Sequence, residues 1–314
     1  MERLLSIIIP VYNVEPYIPR CLDSIYSQNV DEDQYELVIV NDGSQDDSSA
    51  VVKKFQLKHS NIVLIEKENG GVSSARNLAI KNSKGRHLIF VDPDDALMKD
   101  SLSTLISFLS SNQNNPVVVM RSFNNEQIEC YKWTDIFNNY SSINSLEAIN
   151  KGYVRGSVCG CSFLKDFVVR NNILFPEGIK NSEDTIFFFH CISICGEVVF
   201  NDIKFYNIIG RGESASRVFS MSRVDSALES VKYVDNMISK KDTPILNFLK
   251  YNLISNLVYT CIKTKGTSCQ YIRSQNKNHI FKVNTAGLEY KTINMILLNL
   301  SFCLYYLLNR ILFR

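Results

Sequence analysis

The 314-residue chain has no glycine before Gly43. A dinucleotide-binding fold needs a glycine-rich turn directly after its first strand, and a P-loop needs GxxxxGK followed by Ser or Thr; neither pattern is present. Hydride transfer and P-loop chemistry are thereby disfavoured. Nucleotidyltransferases also favour a glycine-rich, basic loop at that point, and Val11-Tyr12-Asn13 is neither. Histidine is scarce, with four in the chain, and none makes a convincing partner for a cysteine nucleophile. Cys159-Gly160-Cys161 and His190-Cys191 with Cys195 lack the CxxC pairs that structural zinc prefers, and read as small buried apolar residues. Low-complexity blocks and internal repeats are missing, which sets aside disordered and collagen-like readings. Nine cysteines without regular spacing follow Met1-Glu2-Arg3, which runs into a strand-like segment with no cleavable signal pattern. A reduced, cytoplasmic setting is expected.

What is present begins with a length beyond one typical domain of about 100–150 residues, so a sizeable core with an appended unit is expected. The formal net charge of +2 hides an asymmetry. From residue 240 onward there are eleven Lys/Arg and two Asp/Glu, against twenty-three and thirty before it. A basic C-terminal region points to nucleic acid or an anionic membrane surface. The apolar stretch 293–313, with Arg310 as its one charge, favours the membrane over nucleic acid. It is close to the ~20 residues that span a bilayer, yet Asn294, Ser301 and Asn309 fall on one helical side, as in a helix lying in the interface. Lys282, Lys291, Arg310 and Arg314 flank it, where anionic headgroups would meet them. The alternative is an amphipathic helix docked on the protein itself or on a second subunit.

Short Val/Ile-rich runs at 4–9, 36–40, 62–65, 87–91 and 117–120 alternate with helical patterns at 17–28, 46–58, 73–82 and 100–111. This βαβ alternation predicts an open, mostly parallel α/β sheet with helices on both faces. Three regions are expected: a nucleotide-binding half over 1–120, an α+β half over 121–220, and a helical, basic region over 221–314 with helices at 227–238 and 245–261. Ligands of open sheets bind at the carboxyl ends of strands, so chemistry is sought there.

Those ends read Pro10-Val11-Tyr12-Asn13, Asn41-Asp42-Gly43-Ser44 and Asp92-Pro93-Asp94-Asp95. Three carboxylates within four residues repel one another unless a cation compensates, and oxygen ligands suit Mg²⁺ or Mn²⁺; the other reading is an acidic cap on the next helix. Asp42 is able to accept a hydrogen bond from a nucleobase or ribose, or simply to sit in a turn. Gly70-Gly71 opens a helix with Ser73 or Ser74 as expected N-cap and Arg76 in its first turn, suited to an anion or else a plain loop with a surface arginine. Further on, a loop carrying Glu183-Asp184 precedes Ile186-Phe187-Phe188-Phe189. An apolar wall raises a carboxyl pKa, as a general base requires, and an acidic helix N-terminus is the alternative.

In order, Ser6 to Asn13, Val38 to Ser44, Asn69 to Asn77 and Phe90 to Asp95 resemble family 2 inverting glycosyltransferases of the GT-A fold, of the bacterial type that builds O-antigen, capsule and other surface polysaccharides. Glu183-Asp184, and Arg211 with Ser214 and Ser216, resemble the family's diphosphate and acceptor-side motifs. The resemblance implies that Pro10, Val11, Tyr12, Asn13, Asp42, Gly43, Arg76, Asp92, Asp94 and Asp95 bind a nucleotide-diphosphate sugar, with Asp42 on the base and Asp92 near the ribose. It further implies that Asp94 or Asp95 holds Mn²⁺ or Mg²⁺, that Asp184 is the catalytic base, and that Arg211 steadies the leaving diphosphate. Pro93 stands where a serine is usual, and Ser182 where a glycine often precedes Glu-Asp. The expected activity is transfer of a sugar, with inversion, from a UDP-sugar to a hydroxyl of a polyprenyl-diphosphate-linked glycan at the inner membrane surface. A non-catalytic nucleotide-sugar-binding or scaffold subunit is the alternative.

Overall fold

The computed structural model describes residues 3–28, 30–125, 128–129, 142–154, 156–209, 219–264, 281, 283, 284 and 286. Arg211, Ser214, Ser216 and the apolar stretch 293–313 lie outside the described residues. The chain divides into two compact units. The first comprises Met1–Ile143, Ser157–Gly178 and Glu197–Gly212, and the second Asn144–Gly156, Ile179–Gly196 and Glu213–Arg314.

In the first unit β1 (Leu5–Val11) lies between β2 (Tyr35–Asn41) and β4 (His87–Phe90), with β3 (Ile62–Glu66) outside β2, all parallel. The connections are α1 (Ile18–Tyr26), α2 (Ser48–Gln56) and α3 (Val72–Asn82). Covered on both faces, β1 and β2 are buried at every position and are apolar but for Ser6, Glu36 and Asn41. Alternate residues Leu5, Ile7, Ile9 and Val11 enter one core with Ile18, Leu22 and Ile25 of α1 and Leu102, Leu105 and Leu109 of α4 (Ser101–Ser111). Past β4 the sheet becomes mixed. β9 (Cys161–Leu164) is antiparallel to both β4 and β6 (Val117–Asn124), β10 (Glu197–Ile208) is parallel to β6, and the two-residue β5 (Ala96–Leu97) is antiparallel to β10. Short strands β7 (Ile128–Glu129) and β8 (Ser142–Asn144) pair with β6 and β10. After β9 comes the short α6 (Lys165–Arg170).

Pro10 sits in the central strand because the β1–β4 ladder runs only from Leu5↔His87 to Ile8↔Phe90. Val91 N–H still donates to the Ile8 carbonyl. The nitrogen of Pro10 faces the same way two residues later, where no partner strand asks for a donor.

The second unit holds α5 (Ser145–Asn150), α7 (Glu183–Cys195), α8 (Met221–Lys240) and α9 (Pro244–Lys263). Ser220 and Thr243 cap α8 and α9 by accepting from Arg223 N–H and Leu246 N–H, and Pro244 opens α9. Buried Lys250 of α9 donates to Asp235 of α8. Both helices fall where apolar spacing predicts them. Among the described residues, no helix is long and apolar enough to cross a membrane.

Candidate functional site

The carboxyl ends of β1, β2 and β3 are joined by side chains rather than by further strand. Asn13, whose left-handed backbone (φ 50°) suits asparagine, donates its N–H to Ser44 Oγ at 3.1 Å and accepts from Gln45 N–H at 2.8 Å. Ser44 Oγ donates to Asn41 Oδ1 at 2.6 Å, and Asn41 Nδ2 to Glu66 Oε2 at 2.6 Å. Tyr12, next to Asn13, is 48 % exposed.

Asp42 is buried in the next layer. Its Oδ1 accepts from Lys67 Nζ at 2.5 Å and Gly70 N–H at 2.9 Å, and its Oδ2 from Gly71 N–H at 2.8 Å. Asn69 Nδ2 bonds the Asp42 carbonyl at 2.9 Å. One carboxylate thus shapes the whole turn into α3. Gly43 (φ 75°) is needed beneath it, since a Cβ there would stand 2.9 Å from the backbone nitrogen of Asn69. The N-cap of α3 is Gly71 (φ 86°), not Ser73 or Ser74: the helix begins at Val72, one residue before the expected start.

Arg76 carries α3 to the end of β4. It is 2 % exposed, its Nη2 donates to Asp92 Oδ1 at 3.0 Å, and its guanidinium stacks 5.1 Å from the centroid of Phe175. A desolvated arginine facing a carboxylate is a structural pair, not the surface residue of the alternative reading. Asp92-Pro93-Asp94-Asp95 is a β-turn closed by Asp95 N–H to the Asp92 carbonyl at 3.0 Å. Pro93 occupies its second position, where its fixed φ is an advantage.

The three carboxylates have different surroundings. Asp92 faces Arg76. Asp95 is buried, with Oδ2 accepting from Tyr206 Oη and Oδ1 from Ile209 N–H, both at 2.8 Å. Burial pushes its carboxyl up to about 7, the Asp92 and Asp94 charges add to the rise, and the two hydrogen bonds oppose it. Asp94 is half-buried, and its carbonyl accepts from Arg20 Nη2 at 2.5 Å. Tyr206 Oη also accepts from Asp92 N–H at 3.1 Å, so β10 knits the turn from beyond. Among the described residues, no group of three His, Cys, Asp or Glu side chains is placed to hold a metal. Magnesium and manganese beside phosphates use one or two carboxylates and fill the shell with water and phosphate oxygens, and this turn carries three, with Asp92 and Asp94 half-buried and Asp95 buried.

In the second unit, Glu183 and Asp184 form the first turn of α7 and are half-buried. They begin a helix, where a loop was expected. Ser182 precedes them with φ 74°, its carbonyl accepting from Ile186 N–H at 2.9 Å. The approach is fixed by α8 and α9: Lys180 N–H donates to Ser226 Oγ at 3.1 Å, Ser230 Oγ to the Asn181 carbonyl at 3.1 Å, and Asn256 Nδ2 to Ser182 Oγ at 3.4 Å.

An open, mostly parallel sheet with these polar loops at the ends of β1, β2 and β4 defines a GT-A-type fold. Comparison with known proteins agrees. The sequence model of glycosyl transferase family 2 matches residues 6–171, more than half the chain. The chain belongs to that family. It is 32% identical over 186 residues to the minor teichoic acid biosynthesis protein GgaB of Bacillus subtilis (strain 168), covering 57% of this chain and 20% of that one. It is 30% identical over 217 residues to the poly(ribitol-phosphate) beta-glucosyltransferase of Bacillus spizizenii, covering 68% and 33%. The chain thus spans from a fifth to a third of these relatives. The fold matches the crystal structure of S. aureus TarS 1-349 in complex with UDP (TM-score 0.71, 19% identity, 99% of this chain and 90% of that). It also matches the mannosyltransferase PcManGT from Pyrobaculum calidifontis in complex with GDP-Man and Mn²⁺ (TM-score 0.57, 17% identity, 99% and 88%).

Proposed function

We propose that the chain transfers a sugar, with inversion, from a UDP-sugar to a hydroxyl of a growing surface glycan of the teichoic acid or polysaccharide kind. The observation that carries this reading is the Arg76–Asp92 pair beside Asp94 at the end of β4, with Arg76 in the first turns of the helix that the Asp42-held glycine turn opens. Names of the related proteins, which include poly(ribitol-phosphate) transferases, support the acceptor class. A UDP-bound structural relative supports the donor. The acceptor is carried on a polyprenyl diphosphate in the inner leaflet, and the basic 240–314 region keeps the enzyme at that surface.

In this reading Asp42 and Tyr12 meet the base, and Asp92, held by Arg76, meets the ribose. Asp94 would hold Mn²⁺ or Mg²⁺, which supplies positive charge against the leaving diphosphate. Asp95 acts as a buried strut. Asp184 takes the proton of the acceptor hydroxyl, whose oxygen bonds to the anomeric carbon as the bond to the diphosphate breaks on the opposite face. Arg211 steadies the departing UDP.

The test is calorimetric binding of UDP, GDP, CDP and dTDP, with Mn²⁺ or with chelator, to wild type, Asp94→Ala and Asp184→Asn. One nucleotide should bind with Mn²⁺, lose that binding in Asp94→Ala and keep it in Asp184→Asn. Turnover in Asp184→Asn should drop at least ~10²-fold. Near-normal turnover there removes Asp184 from the role of base, and no binding of any nucleotide by folded wild type removes the donor site.

A further inference from the structure

One side of α1 is polar where it meets the segment from Asp92 to Leu102, although the helix otherwise buries Ile18, Leu22 and Ile25. Cys21 Sγ lies 3.8 Å from the Asp92 carbonyl. Ser24 Oγ accepts from Leu97 N–H at 3.0 Å. Gln28, just past the helix end and 5 % exposed, donates to the Met98 carbonyl at 3.0 Å and accepts from Leu102 N–H at 2.7 Å, capping α4 in place of Asp100, whose side chain makes no cap. Arg20 reaches the Asp94 carbonyl. Positions 20, 24 and 28 recur at the helical i, i+4 spacing, so a single stripe of α1 is matched to the acidic turn and to the start of α4 beyond it.

The members of this stripe differ in kind. Gln28 and Cys21 are buried and meet the backbone beyond the turn and at its first residue, whereas Arg20 is exposed and bonds the backbone of Asp94. A guanidinium there fixes the peptide that carries the Asp94 side chain, and its charge offsets carboxylate repulsion when no cation is bound. We propose that Arg20 is a positioning residue, which through the Asp94 carbonyl sets where the Asp94 carboxylate stands and so tunes cation binding at the donor site. This rests on the reading of Asp94 given above. Groups that orient a metal-binding carboxylate typically change metal affinity about 10–100-fold when removed.

The test compares wild type, Arg20→Ala and Arg20→Lys in three measurements: UDP binding with Mn²⁺, UDP binding with chelator, and backbone hydrogen exchange of the free protein across residues 92–98. Arg20→Ala should weaken Mn²⁺-dependent binding about tenfold or more. Metal-free binding and melting temperature should stay put, and exchange should quicken at Asp94, Asp95 and Ala96 alone. Arg20→Lys should recover part of the loss, since it restores charge without the planar fork. Wild-type binding and exchange in Arg20→Ala overturn the assignment, as does an equal loss with and without Mn²⁺, which marks a merely structural role. A wild type that binds no nucleotide with Mn²⁺ overturns the donor-site reading, and with it the cation part of the proposal. The exchange result still decides whether Arg20 orders the turn.

Discussion

His87 opens β4 at the end of the sheet away from the acidic turn, and none of its surface is exposed. Burial, with the neighbouring Arg86 charge adding, pushes its pKa down to about 4 from an ordinary 6.5, against a backbone contact from Gln113. In the native state the imidazole is therefore neutral throughout the range where the unfolded chain takes up a proton. Above pH 6.5 both states are neutral and nothing is lost. As pH falls from 6.5 to 4 the unfolded state is favoured, by about 3 kcal/mol at the bottom of the window. Urea midpoints measured for wild type and His87→Leu should differ by a constant amount above pH 7 and shift relative to each other below 6.5, with the wild type falling further. Parallel curves would show that His87 does not carry the acid sensitivity. Residue-scale facts of this kind were only partly legible in the sequence. Asp42, Arg76, Asp92 and Asp94 stand out because they sit in local motifs. Lys67 and Tyr206 do not, since the bonds that matter join Tyr206 to Asp95 across 111 positions and Lys67 to Asp42 across 25. No spacing rule connects such pairs before the strands are in place.

Elements were more legible than residues in the first 120 positions, because parallel strands covered on both faces leave unbroken apolar runs and their helices leave a 3.6-residue period. That signal fails for β5 and β9, which are two and four residues long and join the sheet antiparallel to distant partners. It fails again for α7, whose residues 186–189 are Ile-Phe-Phe-Phe and buried at every position, so that no polar face marks a helix and Glu183-Asp184 read as loop. The backbone before α7 explains the departure at Ser182. With φ 74°, this residue occupies the left-handed region, where a side chain costs roughly 1–3 kcal/mol and glycine is at ease. Ser182→Gly relieves that cost, gives up the long Asn256 bond, and adds chain entropy worth roughly 0.5–1 kcal/mol to the unfolded state. The balance is a gain of about 1 kcal/mol, read as a higher urea midpoint with an unchanged slope. A loss of stability would mean that the Ser182 hydroxyl matters more to the start of α7 than its backbone strain does.

At the scale of the molecule, the charge distribution sets the proposed donor site apart from the proposed membrane contact. Every described residue proposed to meet the nucleotide lies in the first unit, and the excess positive charge lies beyond residue 240, in the second. Sequence alone makes that division visible, since charge sums and apolar runs need no coordinates. Lys282, Lys291 and Arg314 flank the apolar stretch and Arg310 lies near its end, and each is worth about 1 kcal/mol close to an anionic surface, so together they favour binding by about 4 kcal/mol, or near a thousandfold. Apolar insertion adds to this, but the electrostatic part alone is screened by salt within a Debye length of about 10 Å at 0.1 M. The full chain should therefore float with vesicles rich in anionic lipid, more weakly with neutral vesicles, and less at high salt. Removal of residues 282–314 should abolish flotation while leaving Mn²⁺-dependent UDP binding in place, because the proposed nucleotide residues all precede the cut. Equal flotation of full and shortened chains would place the membrane contact elsewhere. Flotation that resists salt yet disappears on truncation would assign the attachment to the apolar residues of the stretch instead of to its lysines and arginines.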